Sequence, residues 1–95
     1  MNIEKLILEG APVIDVRTPG EFVAGNVPGT KNIPLNEVPA RLEEFKSLPQ
    51  PFVVCCQSGA RSGQAHAFLT AQGLNCFNAG SWLDVNYIKS KASAA

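Results

Sequence analysis

A small α/β fold, with a parallel sheet of about four to five strands and helices on both faces, is predicted by three features of this chain. Short apolar runs alternate with capped or amphipathic segments from end to end, the spacing of a parallel sheet covered on both sides. The polar residues that follow the apolar runs collect where the carboxyl ends of strands would lie, which is where such sheets bind ligands. A length of 95 residues allows one domain and one modest core.

The elements follow in order. Ile3, Leu6 and Ile7 have helical spacing within residues 2–9, and Gly10 closes the segment. Residues 12–16 form a short apolar run ending at Asp15 and Arg17, expected to be a buried strand. Thr18 is set to cap the next helix, with Pro19 as its first residue and Glu21 as the reciprocal capping-box partner. Residues 25–29 are expected to be a loop and residues 30–33 a short strand. Val38, Leu42 and Phe45 share one face of an amphipathic helix over residues 36–48. Pro49 and Pro51 bracket the turn into the apolar run 51–55. A helix follows from Ser62, burying Ala65, Phe68 and Leu69, and stops at Gly73. Residues 74–78 are the last expected strand and residues 82–88 a last turn or short helix. The domain is therefore expected over residues 1–88, with 89–95 a frayed, disordered tail.

Composition narrows the function classes. Eight acidic and eight basic residues leave no net charge, and 45% of the chain is hydrophobic. A nucleic-acid binder usually shows a basic face, so no nucleic-acid partner is expected. No apolar run approaches the roughly 20 residues that span a bilayer, and no membrane association is expected. The first residues lack a charged leader with a hydrophobic core, which makes a cytoplasmic location the expectation. Three cysteines cannot pair fully, and His66 is the only histidine, so no zinc-site spacing exists. The expected protein is reduced, holds neither metal nor cofactor, and is a monomer.

The most informative stretch is Cys56-Gln57-Ser58-Gly59-Ala60-Arg61-Ser62. Strand, short loop and helix start together gather backbone N–H groups around one point and aim the helix dipole at it. A cysteine heading such a loop, beside Arg61, should ionise readily. Cys56 is thus the candidate nucleophile, with an anionic group as its target.

Three ordered motifs carry a family resemblance. Residues 13–22, Val-Ile-Asp-Val-Arg-Thr-Pro-Gly-Glu-Phe, continue into Gly25-Asn26-Val27-Pro28-Gly29-Thr30-Lys31-Asn32-Ile33-Pro34-Leu35. This resembles the amino-terminal signature of rhodanese domains. Val53-Val54-Cys55-Cys56-Gln57-Ser58-Gly59-Ala60-Arg61-Ser62 looks like their active-site strand and loop, and Asn78-Ala79-Gly80-Ser81-Trp82 like their glycine-and-tryptophan segment. The resemblance implies a sulfurtransferase that moves sulfane sulfur from thiosulfate or a persulfide to cyanide, a thiol or a protein thiol. It places a persulfide on Cys56 and assigns substrate binding to Gln57, Ser58, Gly59, Ala60, Arg61 and Ser62. Two departures stand out: Asn26 where many members carry histidine, and Gln57 where many carry a cation. The second weakens the expected affinity for thiosulfate.

The adjacent cysteines allow two registers. Counted from Cys56, the loop has the Cys-x-x-Gly-x-Arg length of sulfurtransferases. Counted from Cys55, it has the length found in cysteine phosphatases and arsenate reductases. Gly59 lies three positions after Cys56, which favours the sulfurtransferase register; phosphatase or arsenate chemistry on Cys55 is the alternative, and a non-catalytic interaction module the third. Cys55 and Cys76 are expected in the core. Asp15 and Arg17 are expected to be structural, Asp15 on loop amides and Arg17 in an ion pair. Arg61 is expected to meet an anionic donor. Trp82 should be a core or pocket-wall residue, and His66, Lys31 and Arg41 should be solvated.

Overall fold

The central strand, residues 52–56, is buried along its whole length, because it is covered by helices on both sides. The computed structural model describes residues 2–94, with side chains through Lys91. Its elements are α1 (Ile3–Leu8), β1 (Val13–Asp15), α2 (Pro19–Ala24), β2 (Lys31–Asn32), a 3₁₀ turn (Leu35–Glu37), α3 (Leu42–Lys46), β3 (Phe52–Cys56), α4 (Ala60–Ala71), β4 (Cys76–Ser81) and α5 (Trp82–Ala94). The four strands are parallel in the order β2-β1-β3-β4. The chain moves outward from β1 to β2, then returns to the other side of β1 for β3. The strand order therefore reverses between β1 and β3, and the crevice outside their carboxyl ends is the place for a ligand.

Alternation along β3 divides the core into two layers. Phe52, Val54 and Cys56 face one layer with Ile14, Val16, Ile33, Phe45, Ala65 and Leu69. Val53 and Cys55 face the other with Leu6, Ile7, Val13, Val27 and Val85. Phe45 and Phe52 are fully buried with ring centroids 5.8 Å apart. Truncating either to alanine costs about 3–5 kcal/mol. At the rim, Lys91 of α5 pairs with Glu4 of α1.

Several boundaries differ from expectation. The helix expected over residues 36–48 is two pieces, the 3₁₀ turn and α3. Pro39 lies between them, and a proline inside a helix removes a backbone donor and clashes with the preceding turn. β4 runs to Ser81, because a register shift opposite Val54 and Cys55 prolongs its pairing. α4 starts at Ala60, two residues before Ser62. α5 continues to Ala94, so residues 89–94, expected as a frayed tail, are helical; Ala95 lies outside the described residues. Among the described residues, no helix is long and apolar enough to cross a membrane.

Candidate active site

The site grows from the end of β3. Cys56 is its last residue and points into the layer shared with α4. The chain then turns through Gln57 and Ser58 to Gly59, whose φ of 101° is left-handed backbone that glycine adopts without a Cβ penalty. That turn brings successive N–H groups back onto the sulfur. The Gly59 N–H donates to Cys56 Sγ at 3.0 Å, and the Ser62 hydroxyl lies 3.4 Å from it. Burial by itself pushes the Cys56 thiol up. Hydrogen bonds from the Ser62 hydroxyl and from the N–H groups of Ser62, Gly59 and Ser58 outweigh it, bringing the pKa down to about 7.

Cys55, one residue earlier, lies in the opposite layer and is fully buried. Burial there, reinforced by the Asp15 carboxylate, pushes its thiol up to about 12. Cys76 is also buried, and its thiol rises to about 11. The three cysteines of one chain therefore have very different chemistry.

A side chain from β4 braces the loop. Asn78 Nδ2 donates to the Gly59 carbonyl at 3.0 Å, and Asn78 Oδ1 accepts from Ser62 Oγ at 2.6 Å and from the Gly80 N–H at 2.9 Å. These bonds fix the amide's orientation and seat Ser62 beneath the sulfur, its one hydroxyl proton shared between Asn78 Oδ1 and Cys56 Sγ. In the sequence Asn78 stands out only as a member of the glycine-and-tryptophan segment; its role depends on β4 lying beside β3, which no local pattern displays. On the far side, Gln57 Oε1 accepts from Trp82 Nε1 at 3.3 Å.

The two arginines at this edge are each held by a carboxylate. Asp15 and Arg17, each almost wholly buried, form a bidentate pair with bonds of 2.7–3.0 Å, and Asp15 Oδ1 also accepts the Arg17 N–H. Arg17 reaches on to the Gly25 carbonyl at 2.7 Å and lies under the Trp82 ring, 4.3 Å from its centroid. Their place is structural. The Arg61 guanidinium, expected to meet an anionic donor, is held by Glu21 through bonds of 2.6 and 3.0 Å. Glu21 completes the capping box as well, accepting from the Thr18 N–H at 3.0 Å. Asn26 donates to the Phe22 carbonyl at 2.8 Å at the end of α2. Lys31 and Arg41, expected to be solvated, form surface pairs with Glu44, and Arg41 also with Glu37. Gln57, Ser58 and Ala60 are exposed, Gly59 and Arg61 half-buried, and Ser62 buried.

The fold and the loop together define a class: an α/β domain presenting one cysteine in a nest of backbone donors at the sheet's switch point. Residues 2–85 match the Rhodanese-like domain model, and the chain belongs to that family. A sulfurtransferase of Allochromatium vinosum is 38% identical over 65 residues, 68% of this chain and 60% of that protein. Thiosulfate sulfurtransferase GlpE of Pseudomonas putida is 36% identical over 67 residues, 70% of this chain and 60% of that protein. The chain thus spans 60% of the length of both curated relatives. An E. coli rhodanese solved with anions is 35% identical at a TM-score of 0.70, covering 79% of this chain and 91% of that one. Both curated relatives carry the name of a sulfurtransferase, and the chain shares their domain family.

Proposed function

We propose that this domain transfers sulfane sulfur through a persulfide on Cys56. The Cys56 thiolate attacks the outer sulfur of a donor; the donor's S–S bond breaks, and its remainder leaves with the electron pair. An acceptor nucleophile then attacks the outer sulfur of the Cys56 persulfide, the new S–S bond breaks, and the thiolate returns. The observation that carries this reading is the convergence of Ser58, Gly59 and Ser62 donors on one sulfur with a pKa of about 7. A thiolate already present at neutral pH needs no external base. The same donors stabilise the anionic sulfur before and after transfer, the logic of an oxyanion hole. Gln57, Ser58, Gly59, Ala60, Arg61 and Ser62 form the loop that receives the substrate. Partners are a small sulfur donor and acceptor, or a protein thiol. Phosphoryl chemistry on Cys55 is disfavoured, since that sulfur faces the layer of α1 and α5.

Intact mass after incubation with a sulfane donor, then with dithiothreitol, tests the proposal. Wild type and Cys55→Ser are expected to gain one sulfur atom that reductant removes, and Cys56→Ser to gain none. A gain in Cys56→Ser that is lost in Cys55→Ser would transfer the chemistry to the other cysteine. No gain in any protein, with folding verified by circular dichroism, would favour an interaction module.

A further inference from the structure

We propose that Glu21, by holding the Arg61 guanidinium, sets the donor class of this site, so that it takes sulfur from a small organic persulfide in preference to thiosulfate. This rests on Cys56 being the sulfur carrier.

The argument begins with charge. Two guanidinium groups stand at the carboxyl edge of the sheet beside the loop. Arg17 is held by Asp15 and the Gly25 carbonyl, and Arg61 by both oxygens of Glu21. Glu21 is itself fixed by the Thr18 N–H and hydroxyl, each at 3.0 Å. Turning Arg61 toward a ligand would leave the Glu21 carboxylate with the Thr18 donors alone, so the ion pair is the resting arrangement. Each pair sums to zero charge. Gln57, which follows the nucleophile, is neutral and engaged with Trp82. What the loop offers an incoming anion is therefore N–H dipoles, equivalent to about half an elementary charge at the start of α4.

Thiosulfate brings two negative charges to a sulfur that is itself anionic when reactive. Dipoles worth about half a charge leave most of that repulsion standing. An organic persulfide, R–S–S–H, brings one charge or none. The transfer balances without any co-reactant: Cys56–S⁻ and R–S–S–H give Cys56–S–S–H and R–S⁻. One S–S bond breaks, one forms, and the electron pair leaves on the thiolate.

The space beside Arg61 suits the organic part. A cavity of about 280 Å³ opens between the end of β1 and the 3₁₀ turn, bounded by Val16, Thr18, Pro34, Leu35, Asn36 and Arg61. Its walls are mainly carbon. Val16 belongs to the same packed layer as Cys56, so cavity and sulfur lie on one side of the sheet. A dianion of four heavy atoms outside its reacting sulfur gains nothing from such walls; an alkyl substituent is removed from water there.

The test compares the rate of Cys56 loading, by mass, from thiosulfate and from N-acetylcysteine methyl ester persulfide, whose body carries no charge. Wild type is expected to favour the persulfide, with thiosulfate loading accelerating as salt screens the like charges. Glu21→Gln keeps a capping-box residue while releasing Arg61. It is expected to raise the thiosulfate-to-persulfide rate ratio about tenfold, the effect of one freed cation near the donor. Gln57→Arg adds a cation without touching Glu21 and is expected to shift the ratio in the same direction. A wild type that favours thiosulfate, or a ratio unmoved in folded Glu21→Gln, overturns the assignment while leaving the Cys56 persulfide in place; a shift in Gln57→Arg alone would show that charge matters but that Glu21 does not control it. Failure of both donors to load folded wild type would instead remove the proposed function itself, and this inference with it.

Discussion

The lowered pKa of Cys56 arises from hydrogen bonds that overcome burial, not from exposure, since the residue is only 1% exposed. The direction of its shift fixes a pH signature. Alkylation by iodoacetamide should rise with pH and reach half its maximum near the pKa of about 7. Cys55 and Cys76, at about 12 and 11, should stay unmodified across that range. Ser62→Ala removes one of the bonds that lower the pKa, so its midpoint should move upward, toward that of an ordinary thiol. An unmoved midpoint would assign the stabilisation to the backbone donors alone. At this scale the sequence was informative: the position of Gly59 relative to Cys56 selected the cysteine that the structure places at the nest. It pointed Arg61 at an anionic donor and gave no sign of Glu21 as the holder of its guanidinium, because Glu21 lies 40 positions earlier.

Among the elements, the loop between β3 and α4 has the tightest backbone requirement. An alanine at Gly59 would keep a φ of 101°, with its Cβ 3.4 Å from Gly80 Cα. Left-handed backbone costs a non-glycine residue about 1–2 kcal/mol, so Gly59→Ala should lower stability in urea unfolding by about that amount. It should also slow Cys56 alkylation at neutral pH, since the Gly59 N–H donates to the sulfur. Existence and order of the strands and of most helices were legible from alternation and capping, with the Thr18–Glu21 box the clearest case. The break around Pro39 has a local signal in the proline itself, which the helical spacing of Val38, Leu42 and Phe45 masks, so one continuous helix is the expectation there. The full extent of β4 was not legible, because it depends on a shift in pairing with β3 rather than on its own residues.

Across the whole molecule, acid stability should follow carboxylates held by arginine. The Arg61 guanidinium and the Thr18 N–H hold Glu21 down at about 2, and Arg41 with Lys31 does the same for Glu44. Because both folded values lie below the unfolded value of 4.5, their stabilisation is complete above that pH. It is lost as pH falls toward 2. Urea midpoints measured across this window should therefore decline with acid, and Glu21→Gln should flatten part of the decline. A variant curve parallel to wild type would mean that the pair adds no pH-dependent stability. The division of β3 between two layers has a last consequence for the intact protein. Consecutive residues place one sulfur in the nest and the next in the opposite core, with the third sulfur buried in β4. A folded molecule should thus consume one equivalent of a thiol reagent at neutral pH and an unfolded one three, matching the three cysteines of the chain. Counting labelled sulfurs over time would then time the opening of the core, with no added probe.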